Sequence, residues 1–299
     1  MKIQIASDLH LEFHSKSIPT ILIPSAPVLC LAGDICVCGD STDFKKFVDF
    51  LKFYCNKFDA IVHIAGNHEY YTKNKASPKE LSNNTIVHID KRLKGLSKYF
   101  ANYHYLHNST WTYTIPKSKQ KYVFIGSTLW THIPKTEIVD KKNNRKVAIA
   151  DLIERRMNDY NYIYMPTNST SSTYQYRQYT VVDMQRKHKI AVNFLTRTIA
   201  KAKTIVAKAV HIHESPPVFI LLTHHKPVFD GSTDKGDIYT YAYESDLASQ
   251  LLVSPIVLAA HGHTHKHYDK KINGVRVVSN PKGYVGEHTG YNNQFVVNV

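Results

Sequence analysis

Polar clusters of Asp, Asn and His recur along the chain, and each follows a short apolar run. The clusters are Ser7-Asp8-Leu9-His10, Gly33-Asp34, Gly66-Asn67-His68-Glu69, Thr223-His224-His225 and His261-Gly262-His263-Thr264-His265. Carboxylate oxygens and imidazole nitrogens are the donors that hard and borderline divalent cations prefer in proteins. Gly33, Gly66 and Gly262 would allow the sharp backbone paths that turn these donors inward. We therefore expect side chains from distant parts of the sequence to converge on a metal centre.

The spacing of these residues indicates how two cations could be held. Asp8 and His10 lie two residues apart, as do His263 and His265, so each pair can point to one side of an extended segment. Two cations about 3.5 to 4 Å apart need a carboxylate that binds both of them. Asp34 is the natural candidate for that bridge.

The elements that must position these residues are short strands and a few helices. Alternation of helical periods with apolar runs indicates a layered α/β domain, in which strand ends deliver polar side chains to loops on one edge. Helical periodicity predicts helices over 44–58, 85–100 and 181–210, the first entered through N-cap candidates Ser41, Thr42 and Asp43. The apolar, β-branched runs predict strands over 2–6, 28–32, 60–65, 122–125, 218–223, 256–260, 275–279 and 295–297.

Composition excludes several classes of protein. The 299 residues are 43% hydrophobic and 21% charged, which is typical of a globular chain with ample core and not of a disordered one. The sequence has no apolar run of about 18 residues, and its first residues do not resemble a secretory signal. The four cysteines include Cys36 and Cys38, which we assign to packing and not to a disulfide framework. These features predict a cytoplasmic protein without a membrane span.

The charge of the chain predicts attraction to phosphate-bearing molecules. The formal net charge is +14, and residues 131–215 alone carry 15 basic and 7 acidic side chains. Such an excess steers anions towards the surface over long range and in a salt-dependent way. Nucleic acid is therefore a possible partner through the basic surface, although charge by itself does not identify the partner or the oligomeric state.

Taken in order, the clusters match the signature D-x-H, G-D, G-N-H-E/D, H, G-H-x-H, and the sequence closely resembles the calcineurin-like metallophosphoesterase superfamily. It also resembles a bacterial-type subfamily of mostly uncharacterised, Ser/Thr-phosphatase-like phosphoesterases in the segments ASDLHLEF, FIGSTLWT, MNDYNYI, THHKPV, YESDL, HGHTH and NPKGYVGE. The resemblance implies an α/β fold, a four-layer α/β/β/α sandwich of two mixed β-sheets flanked by helices. We expect a single domain over 1–299, with a basic helical and loop insertion at about 131–215.

The resemblance also implies a role for each conserved position of the signature. Two divalent ions, which could be Mn, Fe, Zn or Ni, would be held by seven ligands: Asp8, His10 and His265 on the first, Asp34 as the bridge, and Asn67, His224 and His263 on the second. His225 remains the alternative to His224, which we prefer because it directly follows an apolar run. His68 would be the catalytic acid, and His261 could orient a ligand.

The chemistry implied is hydrolysis of a phosphomonoester or a small phosphodiester, in which the ions bind phosphate and supply hydroxide for in-line attack. His68 would protonate the leaving oxygen. Two alternatives stay open. The charge favours a metal-dependent nuclease, and loss of catalysis within a retained fold would give a metal-bound interaction scaffold. The intact His68 favours an enzyme.

Residues outside the signature could hold the rest of the substrate, because Arg and Lys bind phosphate and other acidic groups well. The MNDY segment, which contains Asn158 and Asp159, stands out because it interrupts a helical period with turn-forming residues. The candidates for substrate binding are Arg155, Asn158, Lys226 and Lys282, with Arg156 beside them.

Overall fold

The computed structural model describes residues 1–14, 21–73, 76–140, 145–167, 174–230 and 238–299. Parts of the expected insertion, residues 141–144 and 168–173, therefore lie outside the described residues. Among the helices that the structure describes, none combines the length and the apolar character needed to cross a bilayer.

The strands follow one another in short segments of three to seven residues. In chain order they are β1 Lys2–Ala6, β2 Val28–Ala32, β3 Ala60–Ile64, β4 Tyr103–Tyr105, β5 Ser109–Thr114, β6 Lys121–Ser127, β7 Glu137–Asp140, β8 Arg145–Ala148, β9 Tyr164–Pro166, β10 Tyr176–Gln178, β11 Val218–Thr223, β12 Ile256–His261, β13 Tyr268–Ile272, β14 Val275–Ser279 and β15 Val296–Asn298.

The helices range from single turns to one of 31 residues. They are α1 Ser41–Tyr54, α2 Pro78–Asn83, α3 Ile86–Gly95, α4 Ile149–Arg156, α5 Asp159–Tyr162, α6 Val181–His211, α7 Thr240–Tyr243 and α8 Ala248–Leu251. Short 3-10 turns occupy Leu11–Phe13, Cys55–Lys57, His68–Tyr70 and Leu96–Lys98.

Two mixed sheets form the centre of the described chain. The first has the strand order β15-β1-β2-β3-β4, in which β1 to β4 are parallel and β15 is antiparallel to β1. The second has the order β13-β14-β12-β11-β6-β5, with β6, β11, β12 and β14 parallel and an antiparallel strand at each edge. The pairs β7-β8 and β9-β10 form separate antiparallel ribbons.

The two sheets pack face to face through alternate residues of their strands. Ile3 and Ile5 of β1 and Val62 of β3 share one buried cluster with Ile220 and Leu222 of β11. Parallel strands with apolar residues on both faces are the expected pattern for sheets that are covered on both sides. The inner layer explains why the central runs are almost continuously hydrophobic.

Helices cover the two outer faces. Phe47 and Leu51 of α1 pack with Leu29 and Leu31 of β2 on the first sheet, and Cys36 and Cys38 are buried in the same layer as free thiols. On the second sheet, α6 contributes one apolar stripe to a cluster with β11 and β12: Ala191, Leu195, Ile199 and Ala202. The layers are therefore α/β/β/α, and the predicted fold class is confirmed.

The predicted strands and helices are found, but the predicted cap of the first helix is wrong. Asp40 accepts hydrogen bonds through Oδ1 from the backbone N of Thr42 at 2.8 Å and of Asp43 at 3.1 Å. Asp40 has an extended backbone, whereas the candidates Ser41, Thr42 and Asp43 already lie inside α1. An N-cap residue must stand just before the helix, because its side chain accepts hydrogen bonds from the free N–H groups of the first turn.

Candidate metal centre

The polar clusters lie at the carboxyl ends of parallel strands in both sheets. Asp8 follows β1, Asp34 follows β2 and Asn67 follows β3, while His224 follows β11 and His263 follows β12. The carboxyl ends of parallel strands meet at one edge of a sheet, which is where open α/β folds place their ligands. Because the two sheets are stacked, both edges contribute to a single site.

Five candidate ligands have left-handed backbone conformations. The φ angles are 52° at Asp8, 47° at His10, 54° at Asp34, 68° at His263 and 49° at His265. A left-handed conformation costs a non-glycine residue about 1–2 kcal/mol. Such strain persists where the surrounding structure imposes it, and clusters of it are typical of functional sites. Here it turns each side chain sharply out of its strand direction.

One group of donors consists of Asp8, His10 and His265, whose donor atoms all lie within 4.8 Å of one another. The Nε2 atoms of His10 and His265 are 3.2 Å apart, and Asp8 Oδ1 is 3.5 Å from His265 Nε2. Asp8 Oδ2 is buried and has no hydrogen-bond partner among the described residues. Two imidazole nitrogens and a carboxylate converging in this way fit a divalent cation.

The second group consists of Asp34, His224 and His263, whose donor atoms also lie within 4.8 Å of one another. His224 Nδ1 donates to the Ala32 carbonyl at 2.8 Å, so Nε2 faces Asn67 Oδ1 at 3.1 Å and Asp34 Oδ1 at 3.4 Å. His263 Nε2 is buried and finds no partner in the part of the chain that the structure describes. The set again fits a cation.

Asp34 belongs to both sides of the site. Besides its group with His224 and His263, its donor atoms lie within 4.8 Å of those of His10 and His68. Its Oδ1 also accepts a hydrogen bond from the backbone N of His68 at 2.8 Å. The Asp34 carboxylate therefore lies beside donor atoms from both sides of the site.

Burial and the neighbouring carboxylates shift the pKa values of three candidate imidazole ligands in different directions. Burial, and then the neighbouring imidazoles, hold the pKa of His263 well below its ordinary value, so its ring is neutral as a ligand must be. Burial opposes protonation of His224 and His265, but the carboxylates of Asp34 and Asp8 outweigh it and raise both pKa values to about 9. Bound cations would take the place of those protons.

Glu69 fixes the two loops that carry Asp34 and Asn67. It is fully buried and accepts hydrogen bonds from the backbone N of Asp34 at 2.9 Å, of Ile35 at 2.7 Å and of Gly66 at 2.7 Å. Glu69 belongs to the G-N-H-E/D element of the signature, but its type and position in the sequence do not indicate a role. These three contacts are to backbone groups, and a fourth is to His63 Nε2 at 3.3 Å from Glu69 Oε1. No feature of the local sequence predicts them.

Glu12 orients two imidazoles with one oxygen. Its Oε1 accepts from His10 Nδ1 at 3.0 Å and from His68 Nδ1 at 2.9 Å. Burial alone would raise the pKa of Glu12, but the hydrogen bonds from His10 and His68 lower it to about 2. His68 Nε2 then points away from Glu12, 3.1 Å from the hydroxyl of Tyr284.

His68 is buried beside negative charge. Burial opposes its protonation, but the carboxylates of Asp34 and Glu12 outweigh burial and raise its pKa. Its ring stacks on that of Tyr71, with centroids 4.3 Å apart. A protonated imidazole with a fixed ring and one nitrogen facing outward can donate a proton or stabilise developing charge.

Asp159 of the MNDY segment holds the amide of Asn67. Asn67 Nδ2 donates to Asp159 Oδ1 at 2.8 Å, and the Tyr71 hydroxyl donates to the same oxygen at 2.6 Å. Burial raises the pKa of Asp159, and the two hydrogen bonds only partly offset this rise. The arrangement leaves Asn67 Oδ1 facing His224. The sequence indicates a turn at this segment, but the contact between Asp159 and Asn67 depends on the folded chain and cannot be predicted from the local sequence.

Gly66 must be glycine because no space is left for a side chain, and Gly33 because its backbone has a positive φ angle. A Cβ atom on Gly66 would lie 2.1 Å from Asp34 Oδ1 and 2.6 Å from His224 Nε2. Gly33 has φ +88°, and a Cβ there would lie 2.4 Å from His224 Nδ1. Backbone therefore approaches the candidate ligands so closely that no side chain fits.

A cleft of about 450 Å³ opens over the candidate ligands. Its wall includes Arg156, Asn158 and Lys266 beside His68 and His263. Arg156 Nη1 donates to the hydroxyl of Tyr239 at 2.8 Å. Of the substrate-binding candidates, the structure thus brings Asn158 and the neighbouring Arg156 to the cleft, and these would suit a phosphate-bearing molecule.

The other three substrate-binding candidates do not line this cleft. Arg155 is exposed at the end of α4, and Lys282 is half-buried, with its backbone N bonded to the Ser7 carbonyl. Lys226 is only 1% exposed, and its ammonium lies 3.0 Å from Glu244 Oε1 and 2.6 Å from Asp230 Oδ1. A buried cation between two carboxylates is already satisfied, so this arrangement explains Lys226 without a substrate.

Two further buried histidines stand close to the site. His225 Nδ1 donates to the Thr128 carbonyl at 3.1 Å, and the ring lies 4.2 Å from that of His263, between centroids. Burial lowers the pKa of His225 to about 3 and that of His261 to about 4. Neither residue belongs to the donor groups found among the described residues. The group with Asp34 and His263 contains His224, the residue that the sequence favours, and not His225.

Comparisons with known proteins indicate the family and the fold. A family model described as calcineurin-like phosphoesterase matches residues 1–267. The chain is 26% identical over 309 residues to Uncharacterized protein L509 of Acanthamoeba polyphaga mimivirus, with 97% of this chain and 94% of that protein covered.

A similar fold is found in a solved structure. A phosphopantetheinyl hydrolase from Mycobacterium tuberculosis superposes with a TM-score of 0.61 at 16% identity, and covers 96% of this chain and 93% of its own. A putative 5'-nucleotidase from Staphylococcus aureus aligns at 12% identity with a TM-score of 0.45, over 93% of this chain and 48% of its own. The first of these likenesses supports the four-layer architecture.

Proposed function

Because this chain belongs to the calcineurin-like phosphoesterase family, we propose that it hydrolyses phosphoester bonds in a small phosphomonoester or phosphodiester with the help of two divalent cations. Family membership supports phosphoester hydrolysis in general. The number of cations, the roles of the residues and the type of substrate belong to the proposal.

The observation that carries the proposal is the pair of donor groups that meet at Asp34. One cation would be held by Asp8, His10 and His265, the other by Asn67, His224 and His263, with Asp34 shared. Asp8 Oδ2 and His263 Nε2 are buried and have no hydrogen-bond partner among the described residues. They support cation binding, because a buried polar atom without a partner costs free energy of folding. When bound, the cations would neutralise phosphate charge and lower the pKa of water.

His68 is proposed as the catalytic acid. Glu12 holds its Nδ1 at 2.9 Å, so the proton on Nε2 is the one that can be delivered towards the cleft. The raised pKa keeps that proton in place until a leaving oxygen needs it. The Tyr284 hydroxyl, 3.1 Å from Nε2, marks the position that such an oxygen would approach.

Asn67 and Arg156 would both limit the negative charge that an arriving phosphate meets in the site. Asn67 is a neutral ligand, so it does not add to the negative charge of Asp8 and Asp34 when a phosphate dianion arrives. Arg156 brings a positive charge to the cleft wall, and Asn158 offers an amide next to it. Both features favour binding of a phosphoryl group.

The test is turnover of p-nitrophenyl phosphate and of bis-p-nitrophenyl phosphate by the protein loaded with Mn²⁺. We expect hydrolysis of at least one ester, and its loss in Asp34→Asn, with His211→Ala on the exposed end of α6 as a matched control that retains it. Absence of turnover with both esters despite a full complement of metal would contradict the proposal. Faster, strongly salt-dependent cleavage of DNA or RNA would favour the nuclease alternative.

A further inference from the structure

A second hollow, of about 680 Å³, adjoins the cleft and shares with it His68, Tyr71, Asn158 and Tyr284. None of the seven proposed metal ligands lines it in the described structure. His68, the proposed acid, is therefore one of four residues that face both the cleft over the candidate ligands and this hollow. We call the hollow the aromatic chamber.

Aromatic rings form much of the chamber wall. Phe13 and Tyr284 meet edge to face with centroids 5.6 Å apart, and Tyr71 and Tyr162 are 5.6 Å apart. The hydroxyl of Tyr71 is occupied by Asp159, so Tyr71 presents its ring. Phe13 is 54% exposed, so its ring is accessible to a guest in the chamber. A wall of this kind favours an apolar guest.

The charge of the chamber is opposite to that of the whole chain. Its lining contains three carboxylates, those of Glu12, Asp40 and Asp43, against two cationic groups, the ammonium of Lys73 and the protonated imidazole of His68. Lys73 Nζ lies 3.6 Å from Asp40, and Asp43 is paired with Lys46 outside the lining at 2.9 Å. On a protein of net charge +14, this is a local region that disfavours anions.

We propose that the aromatic chamber holds the leaving alcohol of the substrate and selects an uncharged alcohol that carries a ring. The inference rests on the proposed function, because it places the leaving oxygen at His68. In the step concerned, the bond from phosphorus to the alcohol oxygen breaks and a water oxygen bonds to phosphorus. The proton that this water loses passes to solvent, from which His68 is reprotonated after the step. The proton of His68 Nε2 passes to the alcohol oxygen, and the products are phosphate, or a phosphomonoester, and the neutral alcohol.

The same arrangement disfavours substrates whose leaving group carries further phosphates. A polynucleotide or a nucleoside polyphosphate would bring anionic groups towards the carboxylates of Glu12, Asp40 and Asp43. The chamber therefore separates a small ester of an apolar, ring-bearing alcohol from a nucleic acid, a distinction that the net charge of the chain does not make.

The first test compares two phosphonates that cannot be hydrolysed. We expect benzylphosphonate to bind the Mn²⁺-loaded protein with a dissociation constant about tenfold lower than that of methylphosphonate, measured by isothermal titration calorimetry, because only the former fills the chamber with a ring. Phe13→Ala and Tyr162→Ala should reduce this ratio to less than about threefold. Tyr99→Ala, which removes a ring that is 81% exposed and outside the chamber, should retain it.

The second test separates charge from shape. A para-carboxylate on benzylphosphonate should weaken binding at least about fivefold relative to the isosteric para-carboxamide, because the carboxylates of the chamber repel it. Asp43→Asn should narrow that difference. A carboxylate that binds as well as the amide would overturn the proposed charge selectivity.

Equal affinities of the two unsubstituted phosphonates, or a ratio that neither Phe13→Ala nor Tyr162→Ala changes, would overturn the chamber as the leaving-group site. If turnover of nitrophenyl esters is present in the same preparation, the proposed function survives that result. If turnover is absent and neither phosphonate binds, both the proposed function and this inference are contradicted.

Discussion

Carboxylates that surround the candidate ligands decide how those ligands point. Glu287 Oε2 accepts from His265 Nδ1 at 2.6 Å, as Glu12 accepts from His10 and Asp159 from Asn67. In each case the carboxylate binds one polar atom of the side chain, and the other polar atom of that side chain faces the site. Such contacts fix the orientation of a ligand and raise its basicity.

Replacement of His68 by Ala should lower kcat by about 10²- to 10⁴-fold, the range that a positioned general acid contributes. The proposed ligands would be intact, so the content of bound metal should stay at the parental value. Steady-state kinetics with a nitrophenyl ester and elemental analysis of the same sample measure both quantities. His211→Ala serves as control, and parental turnover in His68→Ala would show that His68 is not the acid.

Replacement of Asp159 by Asn should weaken metal binding by about 10- to 100-fold, as expected for loss of a group that orients a ligand. The amide can present its own NH₂ to Asn67 and so disturb the orientation of the Asn67 side chain. Titration of the metal-free protein with Mn²⁺ measures the effect. Asp49→Asn, on the exposed face of α1, is the matched control, and equal Mn²⁺ affinity in both variants would contradict the positioning role.

The types and spacing of single residues allowed the sequence to predict which donors converge, but not what surrounds them. Asp34 and His263 stand out because each follows a buried apolar strand. Glu12 continues the alternation of Asp8 and His10, and this spacing is the signal that could have indicated its role. The ion pairs of Lys226 could not be predicted, because Glu244 and Asp230 approach its ammonium only in the folded chain.

Among the elements, α6 begins with a reciprocal cap that supports its 31 residues. Thr180 Oγ1 accepts from the backbone N of Asp183 at 3.3 Å, and Asp183 Oδ2 accepts from the backbone N of Thr180 at 3.1 Å. Arg177 adds two hydrogen bonds to Asp183, at 2.6 and 2.7 Å. The helix that covers the second sheet is therefore anchored at its start.

Asp183→Asn should lower the free energy of unfolding by about 1–2 kcal/mol near neutral pH. Burial opposes ionisation of Asp183, but Arg177 and Thr180 outweigh it and lower its pKa. A lowered pKa in the folded state stabilises the protein above the unfolded value, about 3.9, and this contribution is lost as the pH falls through the folded value.

Urea unfolding of the parental protein and of Asp183→Asn measures this effect. The difference in the free energy of unfolding between the parental protein and Asp183→Asn should be constant between about pH 5 and 7 and should decrease below about pH 4. Asp49→Asn, with a partly exposed pair on α1, should cost at most about 0.5 kcal/mol. A difference that widens on acidification would contradict the cap's ionic character.

Strands that are buried on both faces were predicted best. Strands β1, β2, β11 and β14 have the predicted bounds, because a continuous apolar run ends sharply where the chain becomes polar. Strands β5 and β13 were missed, since edge strands such as Ser109–Thr114 and Tyr268–Ile272 expose polar residues and depend on a partner strand for their conformation.

On the scale of the whole molecule, the alternation of elements is enough to predict a layered α/β class. The stacking of two mixed sheets is set by contacts between residues far apart in sequence, such as Ile5 with Ile220 in one cluster. Local periodicity does not report such pairings, and the four-layer prediction came from the resemblance of the motifs. The proposed insertion at 131–215 lies between β6 and β11, and whether it acts as a unit remains a prediction.

The net charge of +14 should steer anionic esters to the site. We expect kcat/KM for p-nitrophenyl phosphate to fall about threefold or more as NaCl rises from about 20 to 300 mM, because salt screens long-range attraction. The bis-ester, which carries less negative charge, should show a weaker dependence when Mn²⁺ is kept in excess. A kcat/KM that is independent of salt for both esters would contradict steering by the surface charge.

The most direct measurement of the central claim is the number and position of bound cations. After loading with Mn²⁺ and removal of excess metal, elemental analysis should find two ions per chain. Anomalous diffraction should place them about 3.5 to 4 Å apart, on either side of the Asp34 carboxylate. One ion or none per chain, or peaks away from Asp8, Asp34 and His263, would contradict the account.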